Sequence, residues 1–422
     1  DMQFGFKAQH STTQCTFALN EVVDYYTRKN TSVYVCLLDA SRAFDRMHSV
    51  KLFRLLESRG LCPLLIKLLL HMYSNQSLAV KWQQTTSTSF MVKNGIKQGA
   101  VLSPVLFCVY MDALVKRLKD CGYGCYVGNI FCGALSYADD ITLIAPTIFS
   151  AQRLLDICEK FADDFDVIFN STKSNVLVFK PINKRHIPLG DLKLNNQAIP
   201  YRENALHLGS YVGTNADKLN INKAISDLNA NVNMLICNFS FTHFDTLSYL
   251  FKSFCTSFYG CPLWNIDNLD KIYVCWKKAI KRLFGLNART RSKFLPLILN
   301  VADFKIQILS RFSAFYINLK NSNNIILSTC LDLLNFTHSM SIVSKNVHRL
   351  CTTLNVNVNV LNCFKISKIK KMLFYSRFNQ IAHVDIAHAN IITELLRMKN
   401  NNSFFNLHEI LIMLNYVSLL PD

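Results

Sequence analysis

Two adjacent carboxylates, Asp139 and Asp140, lie in the tetrapeptide Tyr137–Asp140, between two apolar runs that are typical of β-strands. Two negative charges at the tip of such a hairpin repel each other unless a cation neutralises them. Hard divalent cations such as Mg²⁺ prefer carboxylate oxygens. Two such ions about 4 Å apart commonly support in-line phosphoryl or nucleotidyl transfer. The tetrapeptide therefore predicts a metal-dependent transfer site, which needs a third carboxylate and a substrate pocket elsewhere.

Asp39 is the candidate for the third carboxylate. It follows the apolar run Val33–Leu38, whose β-rich composition predicts a buried strand. A side chain at the end of a buried strand is rigidly aimed. Phe44 and Asp45 follow shortly after it. The alternative for Asp39 alone is a helix N-cap, because a helical pattern begins at Ser41.

The segment from 94 to 104 gives a second signal, because glycines flank polar residues just before a helix start. The residues concerned are Gly95, Lys97, Gln98 and Gly99. Glycine lets the backbone approach a ligand closely, and a helix N-terminus favours phosphate. Ser103 as N-cap and Pro104 at the first helical position predict where the helix begins. An ordinary loop leading into a helix is the alternative.

Phe161–Asp164 repeats the aromatic-Ala-Asp-Asp pattern in a different context. Apolar residues at positions 154, 155, 158, 161, 162 and 165 mark one face of a helix. The acidic residues then lie on or near the solvated side. We therefore predict that this second pair does not bind a catalytic metal.

Basic residues downstream are candidates for contacts with phosphate. Lys173 precedes an apolar strand-like run, where it could protonate or neutralise a leaving pyrophosphate. A surface lysine in a turn is the alternative for Lys173. The stretch Lys271–Lys293 contains eight basic residues and no acid, and its apolar stripe predicts a helix that packs on a core. Its candidate phosphate contacts are Lys277, Lys278, Lys281 and Arg282. A solvated helix face is the alternative for this stretch.

The composition indicates a folded, basic protein of more than one domain. The chain has 422 residues, 50% of them hydrophobic, with a net charge of +18 and a pI of about 9.3. Residues 1–220 carry 24 Lys and Arg against 18 Asp and Glu, whereas residues 221–422 carry 22 against 10. This balance favours a polyanionic partner, gripped mainly by the second half. A basic protein without such a partner is the alternative.

The cysteines and the apolar runs indicate the cellular compartment in which we expect the protein. The 15 cysteines lie mostly inside apolar runs, which is typical of free thiols in a reducing compartment. The apolar runs are too short to cross a bilayer, so we expect no membrane span and no secretion. Because the chain begins at Asp1 within a predicted structured element, we expect a fragment of a longer protein.

Taken in order, these segments resemble the reverse transcriptases of non-LTR (LINE-type) retrotransposons, most closely the jockey-like branches. The segments similar to the family's fingers motif and its motifs A to E are Phe4–Lys7 with Ser11–Thr13, Leu38–Asp45, Gly95–Phe107, Tyr137–Asp140, Asn170–Ser174 and His207–Gly209. The resemblance covers about residues 3–215, and Trp276–Leu297 is similar to the family's thumb. Departures occur at Lys97, where Pro or Arg is usual, and at His207, where Tyr is common.

The resemblance implies a fold and a division into domains. The fold is an α+β right-hand polymerase, with fingers and an antiparallel palm sheet, followed by a mostly helical thumb and C-terminal region. The implied domains are residues 1–215 for the fingers and palm, residues 216–300 for the thumb, and residues 301–422 for a helical region of unknown role.

The resemblance also implies roles for individual residues. Asp39 and Asp139 would hold two Mg²⁺ ions, for which Mn²⁺ is a possible substitute, with Asp140 beside them and Lys173 as a further catalytic residue. Phe44 would stack under the deoxyribose and exclude a 2′-hydroxyl. The implied nucleotide-binding residues are Ala40, Phe44, Gln98 and Gly99. The implied primer- or template-binding residues are Gly95, Lys97, Leu208, Gly209, Lys277, Lys278, Lys281 and Arg282.

The implied partners are an RNA template, a DNA primer or target DNA, and dNTPs, and we expect no membrane partner. We expect the protein in the nucleus, with a cytoplasmic ribonucleoprotein stage. Two alternatives remain open. One is a truncated relic that folds or binds RNA without catalysis, and the other is a reverse transcriptase of the group II intron or telomerase type.

Overall fold

The structure is a computed structural model that describes residues 1–378, except positions 42, 93, 98, 182, 184–189, 240 and 335–340. The chain forms two compact units. The first comprises Asp1–Leu208, Val212–Thr214 and a later segment that begins at Ser322. The second comprises Gly209–Tyr211, Asn215–Asn321 and the described residues from 341 onward. The predicted domain boundaries at residues 215 and 300 stay a prediction. The prediction did not include the segment from Ser322 in the first unit.

Helices account for most of the described residues. In chain order they are α1 (Thr12–Arg28), α2 (Ala43–Arg46), α3 (Ser49–Ser58), α4 (Pro63–Ser74), α5 (Ser103–Asp120), α6 (Ile148–Phe165), α7 (Ala216–Phe239), α8 (Phe244–Leu250), α9 (Asp270–Leu283), α10 (Leu295–Ile298), α11 (Phe304–Lys320), α12 (Ile325–Leu334), α13 (Ile342–Leu354), α14 (Val358–Asn362) and α15 (Ile366–Phe378). A π-helical turn, Phe251–Cys255, continues α8. Short 3₁₀ turns lie at Cys261–Leu263, Ile266–Asn268 and Ser292–Phe294.

Strands occur between residues 33 and 213. In chain order they are β1 (Val33–Leu38), β2 (Ser77–Leu78), β3 (Lys81–Trp82), β4 (Thr85–Thr86), β5 (Phe90–Met91), β6 (Tyr126–Val127), β7 (Ile130–Phe131), β8 (Ala134–Tyr137), β9 (Asp140–Ala145), β10 (Asn175–Phe179), β11 (Lys193–Leu194), β12 (Gln197–Ala198), β13 (Tyr201–Arg202), β14 (Asn204–His207) and β15 (Ser210–Gly213).

A five-stranded sheet forms the framework of the first unit. Its strand order is β13-β10-β1-β9-β8, so β1 is central. β1 pairs antiparallel with both β9 and β10, and β8 pairs antiparallel with β9. The β10–β13 pair is parallel. The predicted α+β class with an antiparallel palm sheet is therefore confirmed, with one parallel pair at its edge.

Burial on both faces of the sheet explains the continuous apolar sequence of β1. All six residues of β1 are buried. Tyr34, Cys36 and Leu38 share one hydrophobic core with residues of α5 and α6. Alternate side chains of a strand point to opposite faces, and α1 contacts β1 and β8. A strand covered in this way needs apolar residues at every position rather than at every second one.

A late helix contributes to the first unit. α12 contacts α1 and β7. Within it, Cys330 is fully buried, and its thiol lies 3.9 Å from the carbonyl oxygen of Ala18 in α1. Asn324, just before α12, donates from its side-chain amide to the carbonyl oxygen of Asp1 at 2.7 Å. The first unit therefore includes residues that lie more than 300 positions apart.

Local signals placed α5 within one residue of its start, but the predicted cap is wrong. The N-cap position is Leu102, and Ser103 is the first helical residue. The Ser103 hydroxyl donates to the carbonyl oxygen of Lys97 rather than capping the helix. Pro104 is therefore the second helical residue, one position later than predicted, and it still lies in the first turn, where a proline is tolerated.

The second unit is helical throughout its described residues after 215. The apolar stripe predicted for the basic helix, Trp276, Ile280, Leu283 and Phe284, is buried, with Phe284 at the C-cap of α9. α9 also buries Ile272 and Ala279. Asn355 ends α13 in the left-handed conformation, and α14 begins at Val358. Every helix in the described part of the chain is too short or too polar to traverse a lipid bilayer.

Candidate active site

The acidic tetrapeptide forms a two-residue turn between β8 and β9. Tyr137 pairs with Asp140, which leaves Ala138 and Asp139 at the turn. Ala138 has a φ of 58°, in the left-handed region. For a residue with a Cβ this conformation costs about 1 kcal/mol or more. The turn directs two consecutive carboxylates to the end of the sheet.

Asp39 lies at the same end of the sheet, directly after β1. Leu38 pairs with Ile141, so one further step of the antiparallel register brings Asp39 alongside Asp140. The amide of Asp39 donates to the Ser174 hydroxyl at 3.3 Å, and the amide of Asn170 donates to the carbonyl oxygen of Asp39 at 2.9 Å. The turn before β10 therefore fixes the backbone of Asp39.

The three carboxylates interact electrostatically. Burial, followed by the negative charges of Asp139 and Asp39, raises the pKa of Asp140 to about 6. Burial raises the pKa of Asp139 as well; a backbone hydrogen bond opposes this, and the charge of Asp39 adds to it. At neutral pH the end of the sheet thus concentrates negative charge in a partly buried place, which favours a cation.

Lys173 is the basic side chain beside this cluster. Its Nζ lies 4.0 Å from Asp39 Oδ2. The two side chains are 67% and 42% exposed, so water screens the pair and it adds little to stability. The Asn170 side chain accepts hydrogen bonds from the amides of Thr172 and Lys173, which orders this turn.

The hard oxygen ligands of Asp39, Asp139 and Asp140 suit a divalent cation in type and charge. Among the residues that the structure describes, no three His, Cys, Asp or Glu side chains gather closely enough to hold a metal ion as they stand. The carboxylates are close enough to shift one another's pKa, but they do not form a closed cage.

Phe44 is held by stacking in the first unit. Its ring stacks on Phe107 of α5, with centroids 4.1 Å apart and an interplanar angle of 11°. Phe6 meets the same ring edge-on at 6.0 Å. Ala40 is buried and forms an isolated antiparallel bridge with Phe169, in the segment between α6 and β10. These contacts fix the direction of Phe44 without any hydrogen bond to the ring.

Gly95 anchors the loop before α5 to α2. Its amide donates to the carbonyl oxygen of Met47, and the amide of Ile96 donates to that of Phe44, both at 2.9 Å. Gly95 has a φ of 89°, and a Cβ there would lie 2.7 Å from the carbonyl oxygen of Asp45. Glycine is thus required by both conformation and space.

The other predicted residues of this loop differ in their surroundings. Lys97 is exposed, and Gly99 is exposed with open space around it. Gln98, predicted to bind nucleotide, lies outside the described residues.

His207 contacts the strand that carries Asp140. Its Nε2 lies 2.9 Å from the Thr142 hydroxyl. Thr142 and Asp140 are two residues apart on β9 and share one face of the sheet. Burial lowers the pKa of His207 to about 4, so the imidazole is neutral near pH 7.

The turn after His207 holds the predicted primer-gripping residues. Leu208 and Gly209 have φ values of 47° and 77°. The ammonium group of Lys223 in α7 donates to the carbonyl oxygen of Gly209 at 2.8 Å. A Cβ at Gly209 would lie 2.7 Å from the ring of Tyr259, so this aromatic side chain packs directly on the turn.

The predicted basic helix lines an open groove in the second unit. The groove has a volume of about 880 Å³ and lies between α7 and α9. Its basic lining residues are Lys271, Lys277, Lys278, Lys281 and Arg282, and no acid lines it within the described part of the chain. Burial, with the charge of Lys277, lowers the pKa of Lys281. A groove of this kind attracts anions.

Sequence reasoning missed Gln3. This side chain is buried and accepts a hydrogen bond from the amide of Ala138, 135 positions away. A contact over such a separation leaves no periodic or spacing signal. Gln3 was visible only as the residue before the segment Phe4–Lys7.

The comparison with family models identifies the class of protein. Residues 1–215 match the model described as reverse transcriptase (RNA-dependent DNA polymerase). The chain therefore belongs to this family. Reverse transcriptases generally use divalent metal ions and copy a nucleic-acid template.

Three relatives from mobile elements show which reverse transcriptases the chain is similar to. The chain is 31% identical over 142 residues to the Pol polyprotein of a type-2 retrotransposable element of Drosophila melanogaster, covering 34% of this chain and 13% of that protein. It is 27% identical over 186 residues to the RNA-directed DNA polymerase of the mobile element jockey of Drosophila funebris, covering 42% and 19%. A third relative, from the transposon X-element of Drosophila melanogaster, is 22% identical over 347 residues, covering 76% and 36%.

These matches confirm the predicted resemblance to non-LTR retrotransposon reverse transcriptases. In all three cases the chain spans well under half of the relative's length. Among solved structures, a telomerase of Candida tropicalis matches with a TM-score of 0.35 and 11% identity, covering 99% of this chain and 53% of that one. A likeness at that level carries no argument about function.

Proposed function

We propose that this chain carries the polymerase activity of a non-LTR retrotransposon and synthesises DNA on an RNA template. The observation that supports this proposal most directly is the convergence of Asp39 with the Ala138–Asp139 turn at one end of the central sheet. The family match and the relatives from mobile elements support the same activity. We also propose that the protein works in the nucleus, after a cytoplasmic ribonucleoprotein stage, because its proposed target DNA is chromosomal.

In the proposed reaction the primer 3′-oxygen forms a bond to the α-phosphorus of a dNTP, and the bond from that phosphorus to the bridging oxygen breaks. The hydroxyl proton passes to water, and pyrophosphate is released. Two divalent ions, Mg²⁺ or Mn²⁺, held by Asp39 and Asp139 with Asp140 beside them, would supply positive charge against the phosphates and lower the pKa of the primer hydroxyl. Lys173, beside Asp39, would neutralise or protonate the pyrophosphate.

The contacts of Phe44 support a role in sugar selection. A ring held between Phe107 and Phe6 cannot move aside easily, so it would stack under the deoxyribose and exclude a 2′-hydroxyl. The backbone around Ala40 would line the same nucleotide pocket, together with Gln98 and Gly99. Gly95 and Lys97 would face the template.

The second unit would bind the nucleic acid through phosphate contacts. The groove between α7 and α9 offers five basic side chains to a phosphate backbone. The turn at Leu208 and Gly209 would hold the primer end. The proposed partners are thus an RNA template, a DNA primer or target DNA, and dNTPs.

The first experiment is primer extension on an RNA template with Mg²⁺ or Mn²⁺. We expect Asp39→Asn and Asp139→Asn each to lower the rate on the order of 10³-fold, because each removes a charged ligand from the reacting phosphates. Asp163→Asn in the second tetrapeptide is the matched control and should leave the rate within about twofold, since an exposed residue of α6 touches no substrate. Undiminished synthesis by Asp139→Asn would refute the role of Asp139. No synthesis by the wild-type chain would favour the inactive relic.

The second experiment measures how nucleic-acid affinity depends on salt. The double variant Lys278→Gln, Arg282→Gln should lower the slope of log K against log salt by roughly 2, about one unit for each lost phosphate contact. Lys345→Gln, on the exposed side of α13 and outside the lining of the groove, tests the loss of a positive charge elsewhere and should change the slope little. An unchanged slope in the double variant would show that the groove does not hold phosphates.

A further inference from the structure

The N-terminal residues extend the edge of the central sheet next to β8. The amide of Phe4 donates to the carbonyl oxygen of Ser136 at 2.7 Å, and the amide of Ser136 donates to that of Met2 at 2.9 Å. Gln3 and Ser136 form a parallel bridge. This pairing brings Gln3 beside the turn that carries Asp139.

Gln3 is buried, and its carboxamide makes three hydrogen bonds. Its Oε1 accepts from the amide of Gly5 at 2.8 Å and from the amide of Ala138 at 3.1 Å. Its Nε2 donates to the Ser136 hydroxyl at 3.1 Å. That hydroxyl donates in turn to the carbonyl oxygen of Ala138 at 3.3 Å. Both polar backbone atoms of Ala138 are therefore bound within one buried network.

The network binds Ala138, the residue of the turn whose backbone conformation is least favourable. Ala138 has a positive φ and directly precedes Asp139. A residue with a Cβ keeps such a conformation only when its surroundings enforce it. Gly5 allows this close approach, because a Cβ at Gly5 would lie 2.3 Å from the nitrogen of Ala138. The hydrogen bonds of this network therefore hold the backbone of Ala138 in its left-handed conformation.

We propose that Gln3 is a positioning residue for DNA synthesis: by holding Ala138 in the left-handed conformation, it sets the direction of Asp139 and Asp140. Gln3 does not touch the reacting atoms, and its effect reaches them through the backbone of the turn. This inference rests on the proposed polymerase function. It predicts that loss of the Gln3 carboxamide slows the chemical step without weakening primer–template binding.

A buried glutamine can also serve stability alone, and the chain offers a matched control for that role. Gln14 is equally buried, and its Oε1 accepts from the amide of Ser11 at 3.0 Å in the capping box of α1. Gln14→Met removes the same group as Gln3→Met, but it acts on a helix start instead of the turn. A general loss of stability would affect the two variants alike.

The experiment compares the wild-type chain with Gln3→Met, Ser136→Ala and Gln14→Met, all below the lowest melting temperature of the four. Steady-state kcat and KM for primer–template are measured on an RNA template. Mn²⁺ binding is measured separately by electron paramagnetic resonance, with Asp139→Asn as the reference for a lost ligand. Ser136→Ala is the second test of the network, should Gln3→Met fail to fold, because it removes only one hydroxyl.

We expect Gln3→Met to lower kcat about 10- to 100-fold, because small displacements of reacting groups cost that much, with KM for primer–template within about twofold. Ser136→Ala should lower kcat about 3- to 10-fold. Both should bind Mn²⁺ more weakly than wild type, whereas Gln14→Met should lose only thermal stability. The inference is overturned if Gln3→Met, or Ser136→Ala in its place, matches Gln14→Met in both kcat and Mn²⁺ affinity.

The two readouts separate this inference from the proposed function. If the wild-type chain binds Mn²⁺ through Asp139 but makes no DNA, the polymerase function fails, and weaker Mn²⁺ binding by Gln3→Met still supports positioning. If the wild-type chain makes DNA and Gln3→Met behaves like Gln14→Met, the function stands and positioning fails. A wild-type chain that neither makes DNA nor binds Mn²⁺ would overturn both.

Discussion

The tetrapeptides Tyr137–Asp140 and Phe161–Asp164 share the pattern aromatic-Ala-Asp-Asp, yet they occupy different kinds of structure. The first forms a tight turn between two strands of the central sheet. The second lies entirely within α6, where Phe161 and Ala162 face the core. The backbone therefore directs the two pairs of carboxylates differently, towards the end of the sheet in one case and towards solvent in the other.

The electrostatic surroundings differ in the same way. Burial and like charges raise the pKa of Asp140 to about 6. Asp164 instead lies 2.6 Å from a guanidinium nitrogen of Arg117, in an ion pair largely open to water. In the first pair a third carboxylate, Asp39, lies near two partly buried carboxylates, whereas in the second pair an exposed carboxylate already has a cationic partner. The comparison shows that strand context, rather than the four residues themselves, marks the candidate site.

The largest expected difference in stability between the two regions comes from His207. Its side chain contacts Thr142 in β9, just beyond the first tetrapeptide. Its pKa is about 4 in the fold, below its ordinary value of 6.5. Between these values the unfolded chain binds more protons, so stability is lost as the pH falls from 6.5 towards 4. The loss attributable to His207 should reach about 3 kcal/mol, and His207→Gln should remove it.

The measurement is denaturant unfolding of the first unit at several pH values between 4 and 7.5. The difference between wild type and His207→Gln isolates the histidine from the carboxylates, which titrate in both chains. His71→Gln, on the exposed side of α4, is the control and should follow the wild-type curve. Parallel curves for wild type and His207→Gln would contradict a buried neutral histidine beside β9.

A smaller effect should come from removing one acid of each pair. Asp140 is ionised at pH 7.5 at a cost to the fold, because its pKa lies above the unfolded value of 3.8. With chelator present, Asp140→Asn should therefore stabilise the protein by about 1–2 kcal/mol, after allowance for solvent screening. The gain should fade as the pH falls through 6 and vanish well below 3.8, where both states are protonated.

Asp164→Asn should act in the opposite direction and more weakly. It breaks the exposed ion pair with Arg117 and should cost about 0.5 kcal/mol or less. Thermal unfolding of both variants at pH 7.5 compares them directly. Equal shifts of the same sign would mean that the two pairs share one electrostatic environment.

The last prediction concerns one substitution, Ala to Gly, whose effect on stability should differ in sign between the two tetrapeptides. Ala138 has a positive φ, so Ala138→Gly should leave stability unchanged or raise it by up to about 1 kcal/mol. Ala162 lies within α6, so Ala162→Gly should lower stability by about 1 kcal/mol. Unfolding in denaturant measures both, and destabilisation of similar size by both variants would contradict the left-handed turn.

Local patterns were sufficient to predict the elements that carry the candidate site. The apolar run before Asp39 is β1, the acidic pair lies in a hairpin, and Phe161–Asp164 lies in a helix. These elements follow from the side-chain alternation of strands and the periodicity of helices, which neighbouring residues record directly. The catalytic, nucleotide-binding and primer-binding roles stay predictions.

Contacts between distant residues could not be predicted in this way. The order of strands around β1 depends on pairings over more than 100 positions, for example Cys36 with Leu143. The bond from Gln3 to Ala138 has no local trace, and Ser103 uses its hydroxyl on Lys97 instead of capping α5. When a polar side chain has several possible partners, the folded structure determines which of them it binds.

The position of α12 in the first unit has a consequence for synthesis on the ribosome. α12 ends at Leu334, roughly 120 residues after the preceding stretch of the first unit, which ends at Thr214. At ordinary rates of translation those residues take about 6–24 s to appear. During that interval the surface of α1 that packs against Cys330 in the folded protein is uncovered. The nascent polymerase unit would thus pass through a chaperone-sensitive interval, and stop codons shortly after Thr214 would release chains unable to complete it.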